Sequence, residues 1–266
     1  MKKKKIGYWL VSSQKHLQEF QRRQLQFFDS TLTAGQIARL AAKLRKLEVI
    51  KDRRKVEHLA SGVGVLPTTL EDSILPSMER LGLVNIQGNP SNFQKIEEEI
   101  PREKDILEIA AEFWENEEPR EVERGTLYGL DYCSSLPRTV DEFKSDLSND
   151  FEEDTLNQVI KLSQNFDLLN EEEVDRFSPL LYPDYLWREN ASKVKNYVEN
   201  LSNEKEESVS NFFDKVSDKQ ALPIGKIGTE RIDLEALRGV GLIDTCEIQT
   251  IDGREEEFAY TPKMWG

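Results

Sequence analysis

A chain of 266 residues with 38% apolar, 32% charged and 9% aromatic side chains is polar yet globular, long enough for two domains or for one large core with insertions. No apolar run approaches the ~18 residues of a bilayer span, and the opening MKKKKIGYWLVSSQKH turns polar before a signal-type core or cleavage site develops, so a cytoplasmic location without membrane contact is expected. The net charge of −14 is unevenly spread: residues 1–60 hold 15 Lys/Arg against 5 Asp/Glu, a net of +10, and the rest hold 21 against 45, a net of −24. A polyanion would be drawn to the first part and repelled by the second. Cys133 and Cys246 share no metal-type or redox-type spacing and read as reduced thiols.

In chain order, SQKHLQEFQRRQLQFF places Leu17, Phe20, Phe27 and Phe28 near one helical face. The next segment, TAGQIARLAAKLRKLEVI, has Thr33 as N-cap and sets Ile37, Leu40, Ala41, Leu44 and Leu47 at helical spacing, with Arg39, Lys43 and Lys46 opposite. A short helix carrying Val56, Leu59 and Ala60 follows from Asp52, then a turn at Gly62 and Gly64. A further helix starts near Pro67 or Thr68, with Thr68 and Glu71 at capping-box spacing and Leu70, Ile74, Met78 and Leu81 as its apolar stripe. Pro76 removes a hydrogen bond and predicts a kink or break near Ile74 to Pro76. Gly82 ends the helix, LVNIQ enters a strand, and Gly88 to Asn92 can turn a small hairpin.

The acidic middle is helical. PREKDILEIAAEFWE aligns Ile106, Ile109, Ala110 and Phe113 or Trp114; TVDEF is a capping box of Thr139 with Glu142; EDTLNQVIKLSQNFDLL aligns Leu156, Val159, Ile160 and Phe166. Near the far end a pattern returns. LPTTLEDSILPSMERLGLVNIQ (66–87) and LPIGKIGTERIDLEALRGVGLIDTCEIQT (222–250) both pass from Leu-Pro through a polar segment into a helix closed by Gly and then a strand-like run ending in Ile-Gln. Before the second copy, Val209, Phe212, Phe213 and Val216 fall on a helix; after it, LIDTCEIQTI and EEEFAYT flank Asp252-Gly253, a strong hairpin signal.

Helix, glycine turn, helix, glycine and strand make a helix-turn-helix pattern, and over about residues 35–90 and again 205–262 the chain resembles the winged-helix superfamily. The resemblance implies a mainly α fold with small β-hairpin wings: a basic module over 1–100, an acidic helical linker over 101–203 and a second module over 204–266.

No recognisable catalytic motif stands in the sequence, and a non-enzymatic role is expected. SGVGV and IGKIG lack phosphate-loop spacing. His16 and His58 sit among basic residues, and Cys133, Ser134 and Ser135 have no paired base. Asp131 with Glu142-Phe143-Lys144 is a loose nuclease-like match, but the capping box assigns Glu142 to a helix start. No cofactor or metal is expected.

Binding remains. In DNA-binding members of the resembled superfamily the second helix of the turn enters the major groove and surrounding cations hold phosphates. The resemblance carries phosphate contact to Arg39, Lys43, Lys46, Lys51, Arg53, Arg54 and Lys55, and groove contact to Thr68, Thr69 and Ser73. Glu71 and Asp72 depart from that pattern. The second copy mixes Lys226, Arg231 and Arg238 with Glu255, Glu256 and Glu257, which suits a protein partner. The expected function is DNA binding by the basic module, with transcription control as the default role. The alternative is an assembly component that uses these modules as protein-docking surfaces.

Overall fold

The computed structural model describes residues 1–20, 25–173, 178–183, 191–202, 205, 208–209, 212, 215–216, 222–226, 233–249 and 255–260. The protein is mainly helical with small antiparallel sheets and forms two compact units, Met1–Asp131 with Leu147–Leu168, and Tyr132–Asp146 with Leu169–Gly266. The acidic stretch expected as a linker over 101–203 is thus divided between the two. Among the described residues no helix is long and apolar enough to cross a membrane.

The first unit is built on three packed helices: α1 (Lys3–Leu17), α2 (Asp29–Leu44) and α6 (Glu103–Asn116). Here α1 starts ten residues before the expected SQKH helix and stops at Leu17. The lysine run is therefore its first turn, held by ion pairs from Lys3 to Glu112 at 2.8 Å and from Lys5 to Asp131 at 2.9 Å. Glycines set how closely the helices approach: a Cβ at Gly7 would lie 2.0 Å from the Leu107 carbonyl oxygen, and one at Gly35 2.6 Å from that of Leu10. Trp9, Leu10, Leu17, Phe28, Leu40, Phe113 and Trp114 fill the core.

Thr33 does not cap α2, which begins a turn earlier at Asp29 without a capping side chain of its own. The cap comes from α7 (Glu121–Ser135): buried Glu123 accepts the Thr31 N–H at 2.8 Å and the Arg120 N–H at 3.0 Å, so one carboxylate serves two helix N-termini. Trp114 donates its ring N–H to Thr31 Oγ1 at 3.2 Å. The helix α9 (Glu153–Asn165) buries Leu156, Val159 and Ile160 as expected and ends at Phe166, which packs edge-on against Phe20 and Phe28.

After α2 the chain turns through Lys46 and Glu48, both left-handed at φ 71° and 53°, into β1 (Val49–Ile50), where a continuous helix was expected to Ile50. The short helix α3 (Arg53–Ser61) is capped by Asp52, whose carboxylate accepts the Arg54 N–H at 2.9 Å. The Gly62–Gly64 turn, with Gly64 at φ +73°, leads into α4 (Pro67–Thr69), a π-helical turn (Leu70–Ile74) and α5 (Leu75–Arg80). Proline at the first helical position fits the expectation. The Thr68–Glu71 capping box does not form, because Glu71 is drawn to Arg53. The irregularity expected near Ile74 to Pro76 takes the form of the π turn and not of a chain break: Leu75 donates to the Leu70 carbonyl, and this wider turn absorbs the register change before a residue that lacks an N–H. Gly82, at φ +67°, ends the helix, and β2 (Val84–Asn89) and β3 (Asn92–Glu98) form the expected hairpin, with β1 on the outer side of β3.

In the second unit the predicted capping box is present in full: Glu142 donates its N–H to Thr139 Oγ1 at 3.2 Å, and Thr139 donates its own to Glu142 Oε2 at 2.7 Å. It opens α8 (Val140–Leu147) directly after β4 (Arg138–Thr139). Glu142 also takes the buried Lys195 amine at 2.8 Å, from the helix Ala191–Glu199. Strands β5 (Asn170–Glu172) and β6 (Leu180–Tyr182) complete that sheet. Further on, Val209, Phe212 and Val216 are buried, while Phe213 lies outside the described residues. Strand β7 (Leu222–Pro223), the helix Leu234–Gly239 capped by Asp233, β8 (Asp244–Gln249) and β9 (Glu255–Tyr260) follow. The Asp252-Gly253 turn also lies outside the described residues, but the strands on either side of it pair antiparallel.

The three sheets share one order, with the first strand on the third and the third on the second: β1-β3-β2, β4-β6-β5 and β7-β9-β8. Each opens on a two-residue strand and, after intervening helix, closes on two consecutive strands. The sequence repeat was legible twice; among the described residues the sheet order occurs three times.

Candidate nucleic-acid interface

The expected contact residues separate into distinct environments. Arg39 is half-buried and turned toward α1, where it donates to Gln14 and to Gln18 Oε1 at 2.9 Å; burial lowers its pKa, and the amides it meets carry no compensating charge. Arg53 is a brace: its guanidinium pairs with Glu57 at 2.6 Å and with Glu71, and donates to the Ser91 carbonyl at the hairpin tip. Its hydrogen bond to Glu57 is the main reason its pKa is raised. One side chain thus ties α3 to the following helix and to the β2–β3 turn, satisfying a carboxylate that would otherwise face a polyanion.

Lys43, Lys46, Lys51, Arg54 and Lys55 are exposed, and among the described residues none has a carboxylate at ion-pair distance. Lys51, Arg54 and Lys55 cluster at the N-terminal end of α3. The Lys43 amine reaches the other end, 3.8 Å from where a Cβ of Gly62 would stand. Cations thus stand at both ends of α3, about 13 Å apart for nine residues at 1.5 Å each. Lys46 is held by its backbone, which donates to Glu98 Oε2 at 2.9 Å, leaving its side chain in solvent.

Of the hydroxyls, Thr68 is exposed at the start of the helix beside Leu66, which is 60% exposed, while Thr69 is half-buried and already engaged. Ser73 points elsewhere. With Asp72, Pro76, Ser77 and Arg80 it lines a cleft of about 490 Å³ whose far wall is Asp29, Ser30, Thr33, Phe113 and Glu117. Arg80 is spent there on Glu117 at 3.1 Å and lies over the Phe113 ring. Two carboxylates, Asp29 and Asp72, remain in the cleft without an ion pair among the described residues, so Ser73 faces the more acidic side of its helix.

The hairpin turned at Gly88 to Asn92 was expected from the sequence, but its tip was not among the expected contact residues. Gln87, Asn89, Asn92 and Gln94 are exposed, and Asn89 Oδ1 accepts the Ser91 N–H at 3.2 Å, giving a neutral polar tip. The alternation of polar and apolar residues in VNIQGNPSNFQKI was the signal available. The carboxylates of the nuclease-like match are each committed: Asp131 accepts the Trp9 ring N–H at 3.1 Å and pairs with Lys5, and Glu142 serves its capping box and Lys195.

The chain matches no family model, no curated protein and no solved structure.

Proposed function

We propose that the protein is a non-enzymatic nucleic-acid-binding protein of winged-helix type, whose first module docks on duplex DNA through Lys43, Lys46, Lys51, Arg54 and Lys55 and serves transcription control. The observation that carries this reading is the set of exposed cations at the ends of α3 and on Lys46, without an ion pair among the described residues, in a chain whose net charge is −14. Thr68 at the helix start and the neutral hairpin tip flank that set, and neither presents an acid. The element order of helix, short strand, two helical segments and hairpin supports the winged-helix assignment of this module. The matching sheet order supports extending it to the other two sheets.

The test is binding of a labelled duplex of ~30 base pairs of random sequence across a salt series. A variant with Lys51→Glu, Arg54→Glu and Lys55→Glu is compared with wild type, leaving the brace Arg53 in place. Each phosphate contact contributes a slope of about −0.9 in log K against log salt, so the triple variant should bind weakly with a slope reduced by about 3. Wild-type binding absent at low salt would overturn the reading.

A second reading, assembly through protein contacts, is favoured by the cleft at Ser73, where Asp29 and Asp72 would repel nucleic acid and attract a basic protein.

A further inference from the structure

The terminal hairpin offers a surface of a different kind. Strand β8 is the edge of its sheet, with β9 on one side and, among the described residues, no strand on the other. Its antiparallel register assigns the faces. Glu247 opposes Glu257 and Gln249 opposes Glu255 on one; Cys246 opposes Phe258 and Ile248 opposes Glu256 on the other. Ala259, fully buried, anchors the base of the hairpin. Beyond it, Cys246 to Gln249 and Glu255 to Glu257 are exposed on both faces. The hairpin therefore stands clear of a core for about 14 Å, four residues at ~3.4 Å each.

Apart from the charges of Asp244 and Glu247, this edge lacks the devices that normally blunt one. Within Asp244–Gln249 there is no lysine, no proline and no bulge in the register. Glu247 faces Glu257 directly, an arrangement of like charges that weakens a strand pair. Among the described residues no lysine or arginine reaches Glu247, Glu255, Glu256 or Glu257. Ile248, half exposed, adds an apolar contact on the other face.

One occupant relieves all of these at once. We infer that β8 is a docking edge for an extended segment of a partner protein in which Lys or Arg alternates with apolar residues. Strand addition satisfies the unpaired N–H and C=O groups of the edge. Because side chains alternate along the added strand, its basic residues fall on the Glu247, Glu255 and Glu257 face and its apolar residues beside Cys246 and Ile248. The inference is independent of the nucleic-acid reading, and its test contains no nucleic acid.

The test uses the full chain and two fluorescein-labelled peptides of equal composition, KVKVKVKV and its block isomer KKKKVVVV, read by anisotropy. The exposed thiol of Cys246 supplies a local probe, since Cys133 is buried. The alternating peptide should bind in preference and slow alkylation of Cys246 by iodoacetamide. Glu247→Gln with Glu257→Gln, which relieves the like-charge pair and so preserves the hairpin, should weaken binding about five-fold. Equal binding of the two peptides would reduce the surface to diffuse charge and overturn the proposal, as would failure of either to bind or unchanged alkylation of Cys246 at saturation.

Discussion

Replacing Glu123 tests whether one buried carboxylate holds two helix starts together. Glu123 is 1% exposed and accepts the Thr31 N–H at 2.8 Å and the Arg120 N–H at 3.0 Å. Hydrogen bonds to a charged group contribute about 1.5–3 kcal/mol each, and a donor left buried without a partner costs about 1–3 kcal/mol. Thr31 is fully buried, whereas Arg120 is exposed and its N–H can turn to water. Glu123→Ala should therefore destabilise the first unit by about 3–5 kcal/mol, and Glu123→Gln, which keeps one acceptor, by about 1–2 kcal/mol. The local assay is hydrogen exchange at the Thr31 amide, which a loss of about 3 kcal/mol would accelerate about a hundred-fold. Burial, aided by Asp29, lifts the Glu123 pKa above its ordinary value of 4.5 against the pull of the N–H donors. The folded chain then holds this proton to higher pH than the unfolded chain. Its contribution is greatest at low pH and is lost as pH rises from 4.5 through the folded value. Urea denaturation of wild type and Glu123→Gln should accordingly show a gap that narrows with rising pH. An alanine variant within about 1 kcal/mol of wild type, or a gap that widens with pH, would refute the reasoning.

Other substitutions probe other links. Gly7→Ala places a methyl 2.0 Å from a backbone oxygen of α6 and should destabilise by about 1–3 kcal/mol or more in thermal unfolding, while the same change at exposed Gly239, with nothing within 4 Å, should be nearly neutral. Lys195→Met removes the cation that, with Thr139, draws the Glu142 pKa below its ordinary value despite burial. The stability this adds is present above the ordinary value and lost as pH falls through the lowered one, so the variant should show a flatter acid limb in denaturation. Glu118→Gly relieves a left-handed residue at φ 49° and should stabilise by about 1 kcal/mol. Arg53→Ala should lower duplex affinity with little change in salt slope, because Arg53 braces the hairpin tip and its charge is met by Glu57 and Glu71.

What could be read from the sequence was what is decided locally. Thr139 and Glu142 are three residues apart, and their capping box formed as expected because both partners travel on one turn. The same spacing at Thr68 and Glu71 failed because Arg53, distant in sequence and near in space, competes for the carboxylate. The start of α2 was missed for a similar reason: its cap is Glu123, 92 positions along the chain from Thr31. The cations at the ends of α3 were legible as a group. The removal of Arg39 and Arg53 from that group was not, since periodicity reports a face and says nothing of what lies opposite it. The sheet of the middle region escaped notice because its strands are two or three residues long, too short for alternation to register.

The π-helical turn at Leu70–Ile74 has a consequence for how this helix can change. A turn that closes over five residues carries one more than the surrounding spiral, and one residue is worth about 100° of rotation. Thr68 and Arg80 therefore belong to two halves set out of phase, and the solvent side of the first half does not continue as that of the second. Deleting a single residue between 70 and 74 would return the turn to ordinary α closure and bring both halves into one phase of sequence, with Pro67 and Thr68 kept near their present bearing. A one-residue change of length at this point is taken up within the turn, so the chain can gain or lose a residue here while the helix tip keeps its aim.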